Sequence, residues 1–480
     1  MDDDARYRAL VARDARFDGI FFVGVTTTGI YCRPVCRART PGRARCVFFR
    51  RAAEAEHAGF RACFRCRPEL APGNATSAVD ALSSLARAAT ARIEAGALND
   101  ASLDDLAADL GVTARHLRRA VQSEVGVAPV ELAQTARLAL AKQLLQDGAR
   151  SMTDVAHASG FSSVRRFNAV FRARFRRAPS TLVARGAPAP SDDLRISLGH
   201  RAPIAWRPLL EFLAPRATAG VESVDLEALA YTRSVRIQDR RGWIRASLDP
   251  RRPTLAVDVS ASLARHLMPV ASSVRALFDL DAQPDAIDAH LARDPLLRPF
   301  VRRTPGLRVP GAFDAFELAA RAVLGQQVSV RGATTLAGRL ARAFGESIET
   351  PHPRIDRLFP TPERLARSRP SEIAAIGLPA ARAATLHAVA VAVHEGALAL
   401  DPTIDPATTC AALERIPGIG PWTAQYIAMR ALRAPDAFPA SDLGLARALG
   451  LAPRELTERA AAWSPWRAYA AMHVWRKDTK

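Results

Sequence analysis

The spacing of apolar and polar residues changes several times along the 480-residue chain. Residues 1 to about 75 contain short apolar runs typical of strands, GIFFVGV and CVFF, separated by loops. From about 78 to 184, apolar residues recur every three or four positions, which predicts several short helices. Between about 194 and 300, segments such as TLAVDVSA predict an antiparallel sheet with helices, and the pattern becomes helical again after Gly311.

These changes predict several domains, because a chain of this length exceeds what one hydrophobic core supports. The segment ARGAPAPSDD at 184–193 is rich in Pro, Gly and Ala and is expected to be a linker. The predicted domains span residues 1–76, 78–184, 192–304 and 305–480.

The formal net charge of +19 favours a polyanionic partner, and nucleic acid fits better than a membrane. The excess is mostly Arg in an Ala-rich chain, so charge alone is modest support. The N-terminus lacks a signal-peptide pattern and no long apolar stretch occurs, so we expect a cytoplasmic, nucleoid-associated protein. Six cysteines, four of them in two close pairs, favour reduced thiols and a metal over disulfides, with Cys46 and Cys410 left over.

The two cysteine pairs have the spacing C-x3-C and C-x2-C, which predicts a tetrahedral four-cysteine zinc site formed by Cys32, Cys36, Cys63 and Cys66. A purely structural zinc site is one interpretation. The surrounding sequence, TTGIYCRPVCRAR followed by GFRACFRCRP, resembles the zinc domain of the Ada family of methylphosphotriester-repair proteins over residues 1 to about 75.

This resemblance implies that Cys32 is both a zinc ligand and the nucleophile that irreversibly accepts a methyl group from a DNA methylphosphotriester. Zinc keeps a bound thiol ionised, and the thiolate is the nucleophilic form. Methylation removes one negative charge, so DNA affinity should rise afterwards. The resemblance also places four residues at DNA, although an Arg in this chain can equally be a solvated surface residue: Thr28, Arg37, Arg39 and Arg61.

Two further segments each predict a helix, a tight turn and a second helix, SLDDLAADLGVTARHLRRA and DVAHASGFSSVRRFNAVFRARF. The second resembles the AraC-type DNA-binding domain, which would cover residues 78–184; an unrelated helical bundle is the alternative. The Phe stripe of the second segment is expected to be core. The residues expected to face DNA are Arg115, Arg118, Arg119, Arg165 and Arg166.

The segment LERIPGIGPWTAQYIAMRAL predicts a helix-hairpin-helix, in which small Gly residues let backbone amides approach a phosphate. Asp442 follows about 20 residues later. From about 194 to 476 the chain resembles the AlkA type of 3-methyladenine DNA glycosylase II, of the helix-hairpin-helix superfamily. That resemblance implies Asp442 as the catalytic carboxylate and a pocket for the flipped base made by Trp422, Tyr426 and Trp475.

The same resemblance implies that Gly418 and Gly420 bind DNA and that Gln327 fills the gap left by the flipped base, where the family has an apolar residue. Relatives that cleave the strand carry Lys where Trp422 stands, so lyase chemistry is not expected. The carbonyls of Ile416 and Gly418 are candidate ligands for a monovalent cation. No Pro-Cys-His-Arg motif occurs, so O6-alkylguanine repair is not expected.

The sequence therefore predicts a multidomain α+β protein with a small zinc domain, an all-α double helix-turn-helix domain, an antiparallel sheet-plus-helix domain and an all-α glycosylase domain. We expect a monofunctional glycosylase for alkylated bases that is also a methyl-accepting transcription regulator. Double-stranded DNA, RNA polymerase and one Zn²⁺ are the expected partners, with a monomer favoured. Two alternatives stay open: a front half that regulates without methyl transfer, and a glycosylase fold that only binds DNA.

Overall fold

The computed structural model describes residues 1–72, 84–147, 151–183 and 193–476. Its contacts divide the chain into two compact units. Unit 1 comprises Met1–Arg201 and Asp249–Ser272, and unit 2 comprises Ala202–Leu248 and Ser273–Lys480. Most of the predicted linker and the domain boundaries at 76/78 and 184/192 lie outside the described residues, so the four-domain division stays a prediction.

The helices and strands of the described residues follow the spacing of apolar residues in the sequence. The strands are β1 Phe22–Val25, β2 Ile30–Cys32, β3 Cys46–Phe49, β4 Arg61–Ala62, β5 Leu194–Gly199, β6 Glu222–Asp225, β7 Ala230–Ile237, β8 Arg240–Leu248 and β9 Thr254–Val259. The helices of the first half are α1 Asp3–Ala12, α2 Ala52–His57, α3 Ser84–Glu94, α4 Leu103–Asp109, α5 Ala114–Val125, α6 Pro129–Gln146, α7 Met152–Ala158 and α8 Val164–Phe175.

The helices continue through the second half, where they dominate after β9. They are α9 Trp206–Leu213, α10 Leu267–Leu277, α11 Pro284–Leu291, α12 Arg298–Arg303, α13 Ala315–Leu324, α14 Val330–Phe344, α15 Pro362–Ala366, α16 Pro370–Ala374, α17 Ala380–His394, α18 Pro406–Glu414, α19 Pro421–Arg430, α20 Leu443–Leu449, α21 Pro453–Ala460 and α22 Arg467–Trp475. Among these described helices, none is long and apolar enough to cross a membrane.

Unit 1 begins with a small sheet in the order β3-β1-β2-β4. Strand β1 pairs antiparallel with β2, with Val23 opposite Cys32, whereas β2 and β4 run parallel. The parallel pairing aligns Ile30 with Arg61 and so brings the chain just before the second cysteine pair beside the first. Further along unit 1, β5 and β9 pair antiparallel.

The helix-turn-helix segments fold as the sequence predicts, because polar side chains cap each helix. Ser102 and Asp105 form a reciprocal capping box at α4, and the Thr113 hydroxyl accepts from the backbone N–H of His116 at the start of α5. In α8 the Phe side chains at 167, 171 and 175 are buried, which confirms that this stripe is core.

Unit 2 contains the antiparallel strands β6, β7 and β8, with Glu222 opposite Arg233 and Ala230 opposite Ser247. This confirms the antiparallel pattern expected after residue 194. The helices from α13 onward build an α-helical body with buried residues such as Leu324, Leu386 and Ile427. Helices α18, α19, α20 and α22 of this body position the base-excision residues.

Candidate metal centre and base-excision site

The sulfur atoms of Cys32, Cys36, Cys63 and Cys66 all lie within 4.8 Å of one another. Four thiolates around one zinc ion, at about 2.3 Å from the metal, would lie about 3.8 Å apart, so the cluster has the right size. Hydrogen bonding within the cluster, first from Cys36, raises the pKa of Cys32, whereas Cys32 lowers the pKa of Cys63. Crowded thiols resist joint ionisation, which a central divalent cation would relieve. The donor set therefore fits zinc.

Helix α6 of the helix-turn-helix region packs directly on the second cysteine turn. The fully buried Lys142 donates to the carbonyl of Cys63 at 3.0 Å and to the Glu69 carboxylate at 2.6 Å. Gln146 donates to the carbonyl of Phe64 at 3.3 Å. Sequence reasoning missed this contact, although Lys142 is unusual as a lysine in an otherwise Ala- and Leu-rich helix.

The residues expected to contact DNA in unit 1 lie on its surface. Thr28 is exposed in the turn between β1 and β2, and Arg61 is half-buried in β4. The structure leaves the remaining ones exposed, as DNA contact requires: Arg37 and Arg39 beside the first cysteine pair, Arg115, Arg118 and Arg119 on α5, and Arg165 and Arg166 on α8.

The predicted hairpin joins α18 to α19. Gly418 has a φ of +92°, and a Cβ atom there would lie 2.2 Å from the Thr385 hydroxyl oxygen, so this position requires glycine. Gly420 precedes α19 and faces open space, where a phosphate can approach the backbone amides of the helix start.

Asp442 caps the N-terminus of α20, and its carboxylate accepts from the backbone N–H of Leu445 at 2.8 Å. The same carboxylate accepts from two indole N–H groups. Trp422 donates to Oδ2 at 2.9 Å and Trp475 donates to Oδ1 at 3.2 Å. These contacts bring together the predicted catalytic residue and two of the predicted pocket aromatics.

The third pocket residue, Tyr426, stacks on Trp422 with ring centroids 5.2 Å apart and planes 7° from parallel. Its ring centroid lies 6.3 Å from that of Trp475. The hydroxyl accepts from Arg430 at 2.8 Å. Burial raises the pKa of Tyr426, but the charges of Arg430 and Arg216 outweigh burial and hold the pKa below its usual value. Because Trp422 and Tyr426 already contact each other, a flipped base must stack on an outer face of this pair.

Gln327 is exposed between α13 and α14, in the left-handed region with a φ of +56°. The neighbouring Gln326 turns to the hairpin instead, where its amide donates to the Gly418 carbonyl at 2.9 Å and to the Thr423 hydroxyl at 3.1 Å. Sequence reasoning missed Gln326, because two adjacent glutamines give no local signal of which one faces the hairpin.

Family models match four successive stretches of the chain. They are described as "Metal binding domain of Ada" at residues 5–69, "Helix-turn-helix domain" at 106–185, "AlkA N-terminal domain" at 195–314 and "HhH-GPD superfamily base excision DNA repair protein" at 320–453. The fold and site thus define a modular protein in which a metal-binding and helix-turn-helix front half is joined to a base-excision repair fold.

Similarity to one relative extends over almost the whole chain and shows the family to which it belongs. A protein of Mycobacterium tuberculosis named "Probable bifunctional transcriptional activator/DNA repair enzyme AlkA" is 41% identical over 488 aligned positions, covering 99% of this chain and 97% of that protein. The chain belongs to this family of AlkA bifunctional transcriptional activator/DNA repair enzymes. The resemblances inferred from the motifs are therefore confirmed.

Two further similarities concern the second half of the chain. "DNA-3-methyladenine glycosylase 2" of Escherichia coli is 38% identical over 280 residues, covering 58% of this chain and 96% of that protein. The solved structure of a 3-methyladenine DNA glycosylase from Archaeoglobus fulgidus matches with a TM-score of 0.52 at 22% identity, covering 59% of this chain and 97% of that one. The latter likeness supports the fold alone.

Proposed function

We propose that this protein repairs alkylated DNA and regulates transcription, and that its second half is a monofunctional DNA glycosylase for bases of the 3-methyladenine type. The observation that carries this proposal is the Asp442 carboxylate held by the indoles of Trp422 and Trp475 beside the hairpin. A carboxylate fixed among aromatic rings combines a negative charge with a surface that binds a flat, cationic base.

In the proposed reaction the alkylated base leaves the stack and packs on the aromatic surface. The bond between the sugar C1′ and the base nitrogen breaks, and its electron pair leaves with the base. Positive charge develops on the sugar, where Asp442 stabilises it and accepts a proton from the attacking water. Among the described residues, three donors engage the carboxylate, which offers about four acceptor positions, so one remains for water.

The test is release of 3-methyladenine from methylated duplex DNA by Asp442→Asn. Asn also caps helices well, so α20 should stay intact while the rate of excision falls about 10²- to 10³-fold. Asp405→Asn is the matched control, because Asp405 caps α18 in the same way. A folded Asp442→Asn protein with the wild-type rate would rule out this mechanism and favour a fold that only binds DNA.

For the front half, we propose that Cys32 accepts a methyl group from a DNA methylphosphotriester. A zinc ion held by the four cysteines would keep the Cys32 sulfur ionised at neutral pH. The sulfur attacks the methyl carbon; the S–C bond forms as the C–O bond breaks, and the resulting phosphodiester keeps the electron pair. The product thioether carries one negative charge fewer, which favours binding to DNA.

Peptide mass spectrometry after incubation with methylphosphotriester DNA tests this step. We expect one added methyl group on Cys32 and none on Cys46, a buried cysteine of the same region outside the cluster. Cys66 is more exposed than Cys32, so the two peptides must be separated. Methyl on Cys66, or no methyl in a zinc-loaded protein, would contradict the assignment; the second result would support a regulator whose only enzymatic activity is the glycosylase.

We propose that the regulator binds promoter DNA as a monomer, because α5 and α8 supply two recognition helices in one chain. Contact with RNA polymerase is proposed because the Mycobacterium tuberculosis relative is named a probable transcriptional activator. Light scattering of the DNA complex tests the stoichiometry.

A monovalent cation at the carbonyls of Ile416 and Gly418 is also proposed. The Ile416 and Gly418 carbonyls already accept from Ile419 and Gln326, so the ion would use their second lone pairs. Replacing K⁺ by a bulky organic cation at constant ionic strength should weaken DNA binding.

A further inference from the structure

The aromatic pair of Trp422 and Tyr426 has a carboxylate at one end and a guanidinium group at the other. Trp422 donates to the Asp442 carboxylate at 2.9 Å, and the Tyr426 hydroxyl accepts from Arg430 at 2.8 Å. Trp422, Tyr426 and Arg430 follow one another at intervals of four residues on α19, so they lie along one face of that helix. Eight residues of helix span about 12 Å, so the stacked rings stand between the two charged groups.

Arg430 is held rigidly, and its hydrogen-bond partners are neutral oxygen atoms. It is 3% exposed and donates to the carbonyls of Pro310 at 2.7 Å and Gly311 at 3.3 Å. A Cβ atom at Gly311 would lie 2.3 Å from the carbonyl oxygen of Ala276, so the backbone that receives Arg430 is closely packed. These contacts fix the position of the cation without neutralising its charge.

A second guanidinium group, that of Arg216, lies at the same end of the aromatic pair. Arg216 ends the short turn after α9 and donates to the Phe212 carbonyl at 2.9 Å. The guanidinium carbon of Arg216 lies 3.8 Å from the centroid of the Phe212 ring, and that of Arg430 lies 5.3 Å from the same centroid. Burial raises the pKa of Tyr426, but the charges of Arg430, Arg216 and Arg321 together lower it below its usual value. This is the effect expected of a positive potential at this end of the pair.

The carboxylates near Arg430 are committed to other partners. Three of them border the same small cavity as Arg430. Two form ion pairs with other arginines and the third caps a helix: Glu317 with Arg233, Glu222 with Arg321, and Asp314 at the start of α13. Within the ranges that the structure describes, no carboxylate forms an ion pair with Arg430 or Arg216. The positive charge of these two arginines is therefore not cancelled by a direct partner.

We propose that Arg430 and Arg216 form the positive end of a fixed electric field across the base pocket, and that this field assists cleavage of the bond between the sugar and the base. The proposal rests on the glycosylase activity proposed above and adds two residues to it. As the bond between C1′ and the base nitrogen breaks, its electron pair moves onto the base and positive charge moves to the sugar; water then attacks C1′ and gives its proton to Asp442.

The two ends of the field match these two changes in charge. Asp442 stabilises the positive charge that develops on the sugar, and the arginines stabilise the electron pair that the base receives. A cationic base in its ground state gains nothing from two positive charges nearby. The arginines therefore act on the transition state rather than on binding of the lesion.

The test separates the charge of Arg430 from its hydrogen bonds by comparing Arg430→Gln with Arg430→Lys in the full chain. Both variants lose the guanidinium fork, but only lysine keeps a positive charge. The measurement is single-turnover release of 3-methyladenine from methylated duplex DNA over a range of protein concentrations. We expect Arg430→Gln to lower the rate at saturating protein about five- to tenfold, without raising the protein concentration that gives half of this rate. Arg430→Lys should regain most of the rate.

The same comparison at Arg216, which is half-buried, keeps the test valid if the Arg430 variants fail to fold. Arg216→Gln should be slower than Arg216→Lys, again with no loss in binding. Arg364→Gln is the matched control. The guanidinium carbon of Arg364 lies 5.6 Å from the centroid of the Phe344 ring, the same distance as that of Arg430 from the Tyr426 ring, but on α15, outside the site. This control should release 3-methyladenine at the wild-type rate.

A pH titration of tyrosinate absorbance measures the positive potential without relying on activity. The difference between wild type and Tyr426→Phe isolates the ionisation of Tyr426. Because Arg430 lowers the pKa of Tyr426, Arg430→Gln should raise that pKa more than Arg430→Lys does. An unchanged titration in Arg430→Gln, or Gln and Lys variants with equal rates, would overturn the field while leaving the proposed glycosylase in place. A folded wild-type protein that releases no 3-methyladenine would overturn both.

Discussion

The indole N–H of Trp422 donates a hydrogen bond of 2.9 Å to the carboxylate of Asp442. The ring that is proposed to receive the base therefore also holds the proposed catalytic charge. Trp475 donates to the second oxygen of the same carboxylate at 3.2 Å. Because both indoles use their only polar atom on Asp442, the ring faces that no neighbouring ring covers remain available for stacking. Base binding and charge stabilisation thus depend on one rigid group of side chains.

Replacing Trp422 by Phe separates these two roles. The phenyl ring can still stack on Tyr426, but the donor to Asp442 is lost. A hydrogen bond to a charged group contributes about 1.5–3 kcal/mol, so we expect the single-turnover rate of 3-methyladenine release to fall about 10- to 100-fold, with a smaller change in DNA affinity. Trp463→Phe is the matched control, since Trp463 donates to the carboxylate of Asp294 away from the site. The control variant Trp463→Phe should lower thermal stability and leave the rate of 3-methyladenine release unchanged. If Trp422→Phe also released 3-methyladenine at the wild-type rate, the role given to the Trp422 N–H would be contradicted.

Gln327 is predicted to fill the space that a flipped base leaves in the duplex, and its exposure between α13 and α14 is compatible with that role. Gln327→Ala should reduce excision about tenfold when the lesion is paired, because flipping a stacked, paired base costs a few kcal/mol that the side chain helps to offset. A lesion opposite a gap in the other strand has no pairing partner, so flipping it costs less free energy. Excision of this lesion serves as the internal control. An equal loss on both substrates would instead indicate a general effect on DNA binding.

The features foreseen from sequence depend on local chemistry. The cysteine spacing, the Phe stripe of α8, the glycines of the hairpin and the position of Asp442 after it are each encoded in a short segment. The contacts that could not be foreseen join distant segments. Lys142 meets Cys63 across 79 residues, and such a contact depends on tertiary packing that no local pattern specifies.

The sequence also could not show which of two neighbouring glutamines contacts the hairpin. Gln326 and Gln327 differ only by one position, yet the left-handed backbone at Gln327 directs them differently, so one contacts the hairpin and the other is exposed. The charge compensation of Glu56 by Arg174 also needs the packing of α2 against the helical region before it exists.

Lys142 provides a test of how the metal-binding region is joined to α6. Lys142→Met removes a buried cation and leaves Glu69 with Arg67 as its remaining partner. Breaking a buried ion pair by removing one member costs about 3–5 kcal/mol, and the Arg67 contact should keep the loss near the lower end. Urea-induced zinc release, followed with a coloured chelator, measures this loss. The double variant Lys142→Met with Glu69→Gln should regain much of it, and a double variant as unstable as the single one would mean that packing, not charge, explains the effect.

The burial of His473 leads to a prediction of how the stability of unit 2 changes with pH. It lies in α22 with 2% of its surface exposed, and burial followed by the charge of Arg476 lowers its pKa to about 4 from an ordinary value of 6.5. The neutral ring is therefore favoured in the folded state. Its contribution to stability is fully present above pH 6.5 and is lost as the pH falls towards 4, because the unfolded chain binds the proton first. The full shift corresponds to about 3 kcal/mol.

His473→Leu should remove most of this dependence, since leucine fills a similar volume and cannot be protonated. The measurement is urea unfolding between pH 7 and pH 4 followed by tryptophan fluorescence, which reports on unit 2 because all six tryptophans lie there. We expect the wild-type free energy of unfolding to fall more steeply with decreasing pH than that of the variant, by up to about 3 kcal/mol at the acid end. Leucine in place of the exposed His394 controls for loss of an imidazole as such. Parallel pH profiles for wild type and His473→Leu would show that the acid sensitivity of unit 2 arises from other groups.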